Sequence, residues 1–423
     1  MKPVLIIGSG PAGASAALDL TKNGVPVTLL EWGKAAPLRG HFIDMAKIAA
    51  LPGRSAFMAS DGSLLFRGIG VGGTTLVNYA TAFPPPLARF AALGIDLAPA
   101  LANVQRELAL APLPDALRGP QAKRLENAAL QLGLPWQRFD KMIDPAHCRT
   151  SCWRCSYGCP YGAKWSARKL IEQACAAGAN LLEGAHARQI LYKKQRVCGV
   201  EYVKDGQLQQ VQADTVILAA GGIGSPRLLA TAGITPTTGL FVDPVVAVMG
   251  RVEKNLGAGE VPMVGGMHRA DGLMLADMAL PRLLFQAFNA QAGNFGQLRA
   301  HQHSLSLMVK VPDALGGQLS RHWVNKPLSR ADRQGLDEGQ SIASNILRAA
   351  GATKIFASRP FAAHPGGSAV IGDIVDKNLQ TRLPGLFVCD ASVLPAPWGY
   401  PPTLTLICLA KRLAGQLISG QVQ

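Results

Sequence analysis

The sequence predicts an α/β protein whose Rossmann-like nucleotide-binding domain is pieced together from separated stretches of chain. Three observations carry this expectation. The chain opens on a strand, glycine turn, helix, strand and acid in that order. Two short apolar strands far downstream, "VILAAGG" and "LFVCDAS", read as core of the same kind of parallel sheet. Finally, 46 glycines and 29 prolines among 48% hydrophobic and 16% charged residues suit tight turns between buried elements better than a helical bundle. At 423 residues the chain exceeds one simple core, and two or three structural units are expected.

Val4 to Ile7 form the first strand, ending in Gly8-Ser9-Gly10-Pro11-Ala12-Gly13, and "ASAALDLTKNG" continues at helical period. In such a turn Gly8 permits the tight bend, Gly10 lets backbone approach a pyrophosphate, and Gly13 lets helix and strand pack closely. The helix N-terminus then faces the phosphates. "VPVTLLE" is the second strand and ends in Glu31, eighteen residues past Gly13, where a ribose-binding acid belongs. Pro84 to Pro86 punctuate the chain, and a helical, looser segment follows to about Asp144. From Lys164 the pattern reads helix, strand, small meander and a buried strand closing on Gly221-Gly222. Residues 237 to 360 read as short strands and loops without a phosphate or metal motif. Within them "LMLADMALPRLLFQAF" reads as a core helix or strand pair, with cavity lining as the alternative. The chain closes on the helix "TLTLICLAKRLAGQLI".

The formal charge of +15 and pI near 9.7 raise the question of a nucleic-acid partner. The densest basic stretch is only Lys193-Lys194-Gln195-Arg196, and aromatics are 6% of the chain, so interleaved stacking residues are lacking. A solvated basic surface is expected, with docking of an acidic substrate, an electron-accepting protein or an anionic membrane face as the alternative. The N-terminus imitates a signal peptide, but its short apolar run is interrupted by the glycine turn. No stretch of eighteen apolar residues offers a spanning helix. The mature chain is expected to begin near Met1 and to be cytoplasmic, with peripheral membrane association or export with a partner as the alternative.

Four of the eight cysteines, Cys148, Cys152, Cys155 and Cys159, fall within twelve positions of "CRTSCWRCSYGCPYGAKWS". A metal or iron–sulfur site, paired disulfides, a redox thiol or a tight structural corner would each account for them, and a reducing cytosol disfavours disulfides. Zinc fits less well than iron–sulfur, because a four-cysteine zinc site is normally two CxxC knuckles held apart.

Five motifs in register are similar to those of the glucose–methanol–choline (GMC) oxidoreductases, which bind FAD. "GSGPAG" with Glu31 resembles the ADP-binding start. "RGIGVGGTTLVNYA" resembles the glycine-rich flavin loop, placing Gly72, Gly73, Thr74, Thr75 and Asn78 where the family contacts phosphates and isoalloxazine. "AAGGIGSPRLL", containing Gly221, resembles the second family signature, and "HPGGSAVIG" resembles the active-site histidine motif. "GLFVCDASVLP" places Asp390 at the late flavin-binding acid, ahead of Thr403 at the head of the closing helix. Ala187 stands where the family pairs with adenine, although alanine is a loose match. The resemblance implies an FAD domain over residues 1–90, 150–236 and 364–423, and a reduced α+β substrate domain over 91–149 and 237–363.

The resemblance also implies a reaction: a histidine takes the alcohol proton while hydride leaves the carbinol carbon for flavin N5. His364 is then the base, a small-molecule alcohol the substrate, and a quinone, cytochrome or other non-oxygen acceptor the electron sink. The departure is at Pro401, where the family carries Asn or a second His, because proline offers no donor of either kind. Tyr400 or Asn78 are the candidate replacements, and a non-redox or auxiliary flavoprotein is the alternative reading. Cys-x3-Cys-x2-Cys-x3-Cys-Pro resembles ferredoxin spacing, and some relatives with a "CPxGA" run hold a small iron–sulfur cluster there. Two expectations stand for Cys148, Cys152, Cys155 and Cys159: cluster ligands forming an electron outlet, or a structural loop beside the flavin, which the sequence slightly favours.

Overall fold

The computed structural model describes residues 2–235, 239–257, 259–320 and 322–422. The domain division placed at 236–237 lies outside the described residues, as does Met1.

Five strands from four distant parts of the chain form one parallel sheet. Its order is Leu386–Val388, Thr215–Leu218, Val4–Ile7, Val27–Glu31 and Asn180–Glu183. The central strand is no more than 5% exposed at any residue, as expected where helices cover both faces. The helix Pro11–Lys22 packs against the C-terminal helix Thr403–Ile418 and against Arg168–Ala176. A three-stranded antiparallel meander, His186–Lys193, Arg196–Lys204 and Gln207–Gln212, separates the edge strand from the buried Thr215–Leu218.

The second layer is a nine-stranded mixed sheet centred on Val245–Arg251, Ser304–Lys310 and Met274–Asp277. Period two divides Ser304–Lys310 between two cores. Leu305, Leu307 and Val309 pack under a 20-residue helix, Arg330–Ala349, against Leu336, Ala343 and Ile346. Met308, with Val245, Met274 and Ala276 from neighbouring strands, faces the other way towards Phe285 and Phe288. Ala56–Met58 and Leu64–Phe66, from the segment assigned to the nucleotide domain, join this second sheet through Phe361–Ala362.

The helix Arg330–Ala349 departs from the expectation of strands and loops alone. Its sequence carries Gly335 and Gly339, poor helix formers, and its stability comes instead from a capping box and a packed face. Ser329 Oγ accepts from Asp332 N–H and Asp332 accepts from Ser329 N–H. The apolar run at 273–288 divides into the strand Met274–Asp277 and the helix Arg282–Gln291, with Pro281 capping the helix.

Candidate active site

A large cavity of about 1560 Å³ runs between the two sheets. One end lies over the first strand–turn–helix. Gly8 has φ of +104°, and a Cβ there would stand 2.4 Å from the Ala219 carbonyl oxygen. A Cβ on Gly13 would fall 2.0 Å from the Gly8 carbonyl oxygen, so the helix touches its own strand. Gly8 and Gly10 border the cavity while Gly13 lies behind them in the packing. The loop at 72–76 closes over this turn, and a Cβ on Gly73 would reach 3.1 Å from Gly10 Cα. The helices beginning at Pro11, Gly221 and Thr403 all open their N-termini on the cavity, a field suited to an anionic ligand.

Glu31 borders the cavity and is buried, which raises its carboxyl against hydrogen bonds from Ser9 and Gly33 that lower it. Ser9 N–H and Oγ–H donate to one of its oxygens at 3.0 and 2.6 Å, and Gly33 N–H to the other at 2.7 Å. Beyond it Trp32 stacks on His186 with centroids 3.9 Å apart, next to Ala187. Burial, followed by Arg188, Arg67, Arg54 and Arg227, pushes His186 down to about 4, so the stacked imidazole is neutral.

Thr74, Thr75 and Asn78 line the cavity, while Gly72 stands just outside the lining, packed on Arg168. Thr75 Oγ donates to the Gly72 carbonyl at 2.6 Å and accepts from Ala167 N–H at 2.9 Å. Thr74 Oγ1 accepts from Gly68 N–H. Asp390 accepts from Gly221 N–H at 2.8 Å and from Ser392 N–H and Oγ–H at 2.8 and 2.6 Å, and Ser225 Oγ–H completes its shell. The acid therefore ties the start of the Gly221 helix to the end of the buried strand.

The other end lies on the second sheet. Val245, Met274, Met308, Phe288 and Phe361 line it, and His364, Pro401 and Pro402 stand across from this floor. Ser368 Oγ–H donates to the Gly222 carbonyl at 2.8 Å, fixing the histidine loop to the nucleotide side. His364 Nδ1 lies 3.7 Å from Asp243 Oδ2, longer than a hydrogen bond. Burial lowers the His364 pKa, and Asp243 only partly opposes this. Among the described residues no protein group partners its Nε2.

Tyr400 does not border the cavity. Its ring packs on His268 at 4.7 Å and on Trp398 at 5.6 Å, because the Gly399 turn directs it into the wall. Asn78 does face the cavity, with its Oδ1 taking Lys164 Nζ at 3.3 Å and Ala80 N–H at 3.2 Å.

The cysteine loop lends the iron–sulfur expectation no support. Among the described residues no three His, Cys, Asp or Glu side chains converge as a metal site. Cys148, Cys152, Cys155 and Cys159 are all free thiols. Cys155 is buried and Cys148 and Cys159 pack against the same core. Burial pushes Cys155 up to about 12 and Cys148 up to about 11, and raises Cys152, so without a metal these thiols are protonated. None borders the cavity, whereas their neighbours Ser156 and Tyr157 do.

Four residues were missed by the sequence reading. Lys164 Nζ donates to the carbonyls of Thr75, Leu76 and Asn78 at 2.7 to 3.0 Å and so clamps the glycine-rich loop. Lys141 Nζ does the same for Pro262 and Met263 and for Thr81 Oγ1. Asp243 and Lys310 lie behind and beside His364. The one available signal was Lys310, which closes the strand "SLSLMVK" on the face of Ser306 and Met308.

Two family models described as GMC oxidoreductase match this chain, over residues 5–257 and 318–410. An uncharacterized GMC-type oxidoreductase of Mycobacterium tuberculosis is 27% identical, covering 99% of this chain and 76% of that protein. A long-chain-alcohol oxidase of Arabidopsis thaliana is 24% identical, covering 97% of this chain and 66% of that protein. Among solved structures, pyridoxine 4-oxidase from Mesorbium loti matches with TM-score 0.75 at 16% identity, covering 98% of this chain and 99% of that one. Formate oxidase from Aspergillus oryzae RIB40 matches with TM-score 0.74 at 16% identity, covering 99% and 98%. At such identities these two likenesses concern the fold.

Proposed function

Since the chain belongs to the GMC oxidoreductases and is an FAD-dependent oxidoreductase, we propose that it oxidises a hydroxyl group, CH–OH to C=O, with His364 as the base. The observation that carries this reading is the His364 imidazole, bordering the cavity with Nδ1 turned to Asp243 and Nε2 without a protein partner.

The cavity fits FAD in its protein groups: glycine turns that admit no side chain, three helix N-termini and a buried acid at the second strand's end. Gly8, Gly10 and Gly73 would lie along the pyrophosphate, Glu31 and Ala187 at the adenosine, and Thr74, Asn78 and Thr403 towards the ring. When bound, FAD supplies a two-electron acceptor for the carbinol hydride. His364 Nε2 accepts the hydroxyl proton, and Asp243 behind Nδ1 orients the ring and favours the imidazolium that forms. The apolar floor excludes water from the reacting carbon.

The test is anaerobic mixing of the purified holoprotein with primary and secondary alcohols while flavin absorbance is followed. Bleaching by at least one alcohol, slowed in His364→Gln, is expected. A flavin that dithionite bleaches and no alcohol does would overturn the reading. The acceptor, expected to be a quinone or carrier protein rather than oxygen, is read from the reoxidation rate with each. The basic surface supports an acidic carrier.

A further inference from the structure

Lys310 is 1% exposed and borders the active-site end of the cavity. It pairs with Val245 on one neighbouring strand and Met274 on the other, two residues beyond Met308 on the same strand. A cation thus stands in a floor that is otherwise apolar. Its one hydrogen-bond partner among the described residues is Asp243 Oδ2 at 3.4 Å, while an ammonium has three donors. Among the described residues the other two have no protein acceptor. The same Asp243 oxygen lies 3.7 Å from His364 Nδ1, and its other oxygen accepts from Gly399 N–H at 3.0 Å. Lysine and histidine therefore reach one carboxylate oxygen, and both border the cavity.

The neighbouring pair Lys326–Asp313 shows what a structural ion pair looks like here. Its ion contact is 3.1 Å, Lys326 Nζ also donates to the Ala314 carbonyl at 2.9 Å, and Asp313 accepts from Val242 and Asp243 N–H. Lys326 does not border the large cavity. Lys310 differs in its longer ion contact, its lack of a carbonyl acceptor among the described residues and its place on the cavity.

We propose that Lys310 is the second polar hand of the active site, donating to the substrate's hydroxyl oxygen beside His364, where Pro401 offers nothing, and that the substrate is an alcohol with an otherwise apolar body. The inference rests on the hydroxyl-oxidation reading above. In the step, the C–H bond breaks and its hydrogen leaves with two electrons to the bound flavin, while the O–H proton goes to His364. The substrate is oxidised to a carbonyl, the flavin is reduced, and Lys310 neither gains nor loses a proton. Its charge stabilises the oxygen as negative charge gathers there. Asp243, His364 and His268 are the titratable groups that face it. Val245, Met274 and Met308 supply contacts for an alkyl or ring body and no second charge.

The test compares wild type with Lys310→Met and Lys310→Arg, with decanol as substrate and decanoate as an oxyanion-bearing ligand that does not turn over. FAD content is measured in each. Lys310→Met should slow flavin bleaching by decanol about 100-fold and weaken calorimetric binding of decanoate at least about tenfold, with FAD content and decanol affinity nearly unchanged. Lys310→Arg should keep decanoate binding. If Lys310→Met loses FAD, Lys310→Gln carries the same comparison. Wild-type rates and decanoate affinity in the uncharged variants would overturn the proposal and leave Lys310 as a counter-ion to Asp243. If no alcohol bleaches the wild type but decanoate binding still needs Lys310, the hydroxyl reaction falls and the lysine site stands.

Discussion

At the scale of single residues, the active site is governed by what burial does to charge. His364 sits where the imidazolium is poorly solvated, and this outweighs the pull of Asp243. Its pKa is therefore below the ordinary 6.5, and the ring is a free base at neutral pH. Alcohol-driven flavin reduction should fall on the acid side, as His364 takes a proton, with its midpoint below pH 6.5; stopped-flow pH profiles check this. His364→Gln should lower the same rate by about 10²–10⁴-fold while FAD content holds. Gly8 answers to sterics instead of charge. Gly8→Ala places a methyl 2.4 Å from the Ala219 oxygen at a positive φ, and the variant should purify without the flavin band near the visible. His364 was legible in the sequence because a Pro-Gly-Gly-Ser loop marks it. Asp243 and Lys310 were not, because nothing in a one-dimensional pattern says that two residues 67 positions apart share one carboxylate oxygen with the histidine.

At the scale of elements, the glycine-rich loop at 72–76 and the cysteine loop behave as one unit. Lys164 joins them by three carbonyl contacts, and Thr75 Oγ1 receives the Ala167 N–H. Cys155 is buried in the core next to that joint, with Cys148 and Cys159 packed against the same core. An anaerobic preparation should therefore hold FAD without stoichiometric iron, and Cys152→Ser should keep its visible spectrum; metal analysis and absorbance decide it. The helix Arg330–Ala349 supports the floor from behind, its Gly339 lying where a Cβ would meet Val309 at 2.3 Å. Ser329→Ala removes its capping box and should cost about 1 kcal/mol in urea unfolding, with alcohol-driven flavin reduction unchanged. The strands of the parallel sheet could be read from apolar runs of four or five residues. This helix could not, since its glycines and polar residues hide a stripe that only the sheet beneath it makes sense of.

At the scale of the molecule, the cavity that fits FAD lies between the two sheets, so ligand and fold are linked. With free FAD a thousandfold above its dissociation constant, the holoprotein should gain about 4 kcal/mol of stability, measured as a rise in melting temperature on titrating FAD into apoprotein. The formal net charge is +15, and no described helix is long and apolar enough to cross a membrane.

The sequence by itself determined the nucleotide half of this protein. Glycine spacing, the Glu31 acid and the histidine loop are local patterns, each required by a turn or a close approach within a few residues. The sheet order, joining residues 4–31, 180–183, 215–218 and 386–388, follows from buried strands that have no other place to go. Tertiary structure alone decided which polar groups meet. For the four clustered cysteines the sequence left a cluster and a structural loop both open, and among the described residues the fold gathers no three-ligand metal site from them. A single lysine in an apolar strand, Lys310, drew no notice in the sequence and lies beside His364, because strand pairing and burial, which depend on distant residues, set its position.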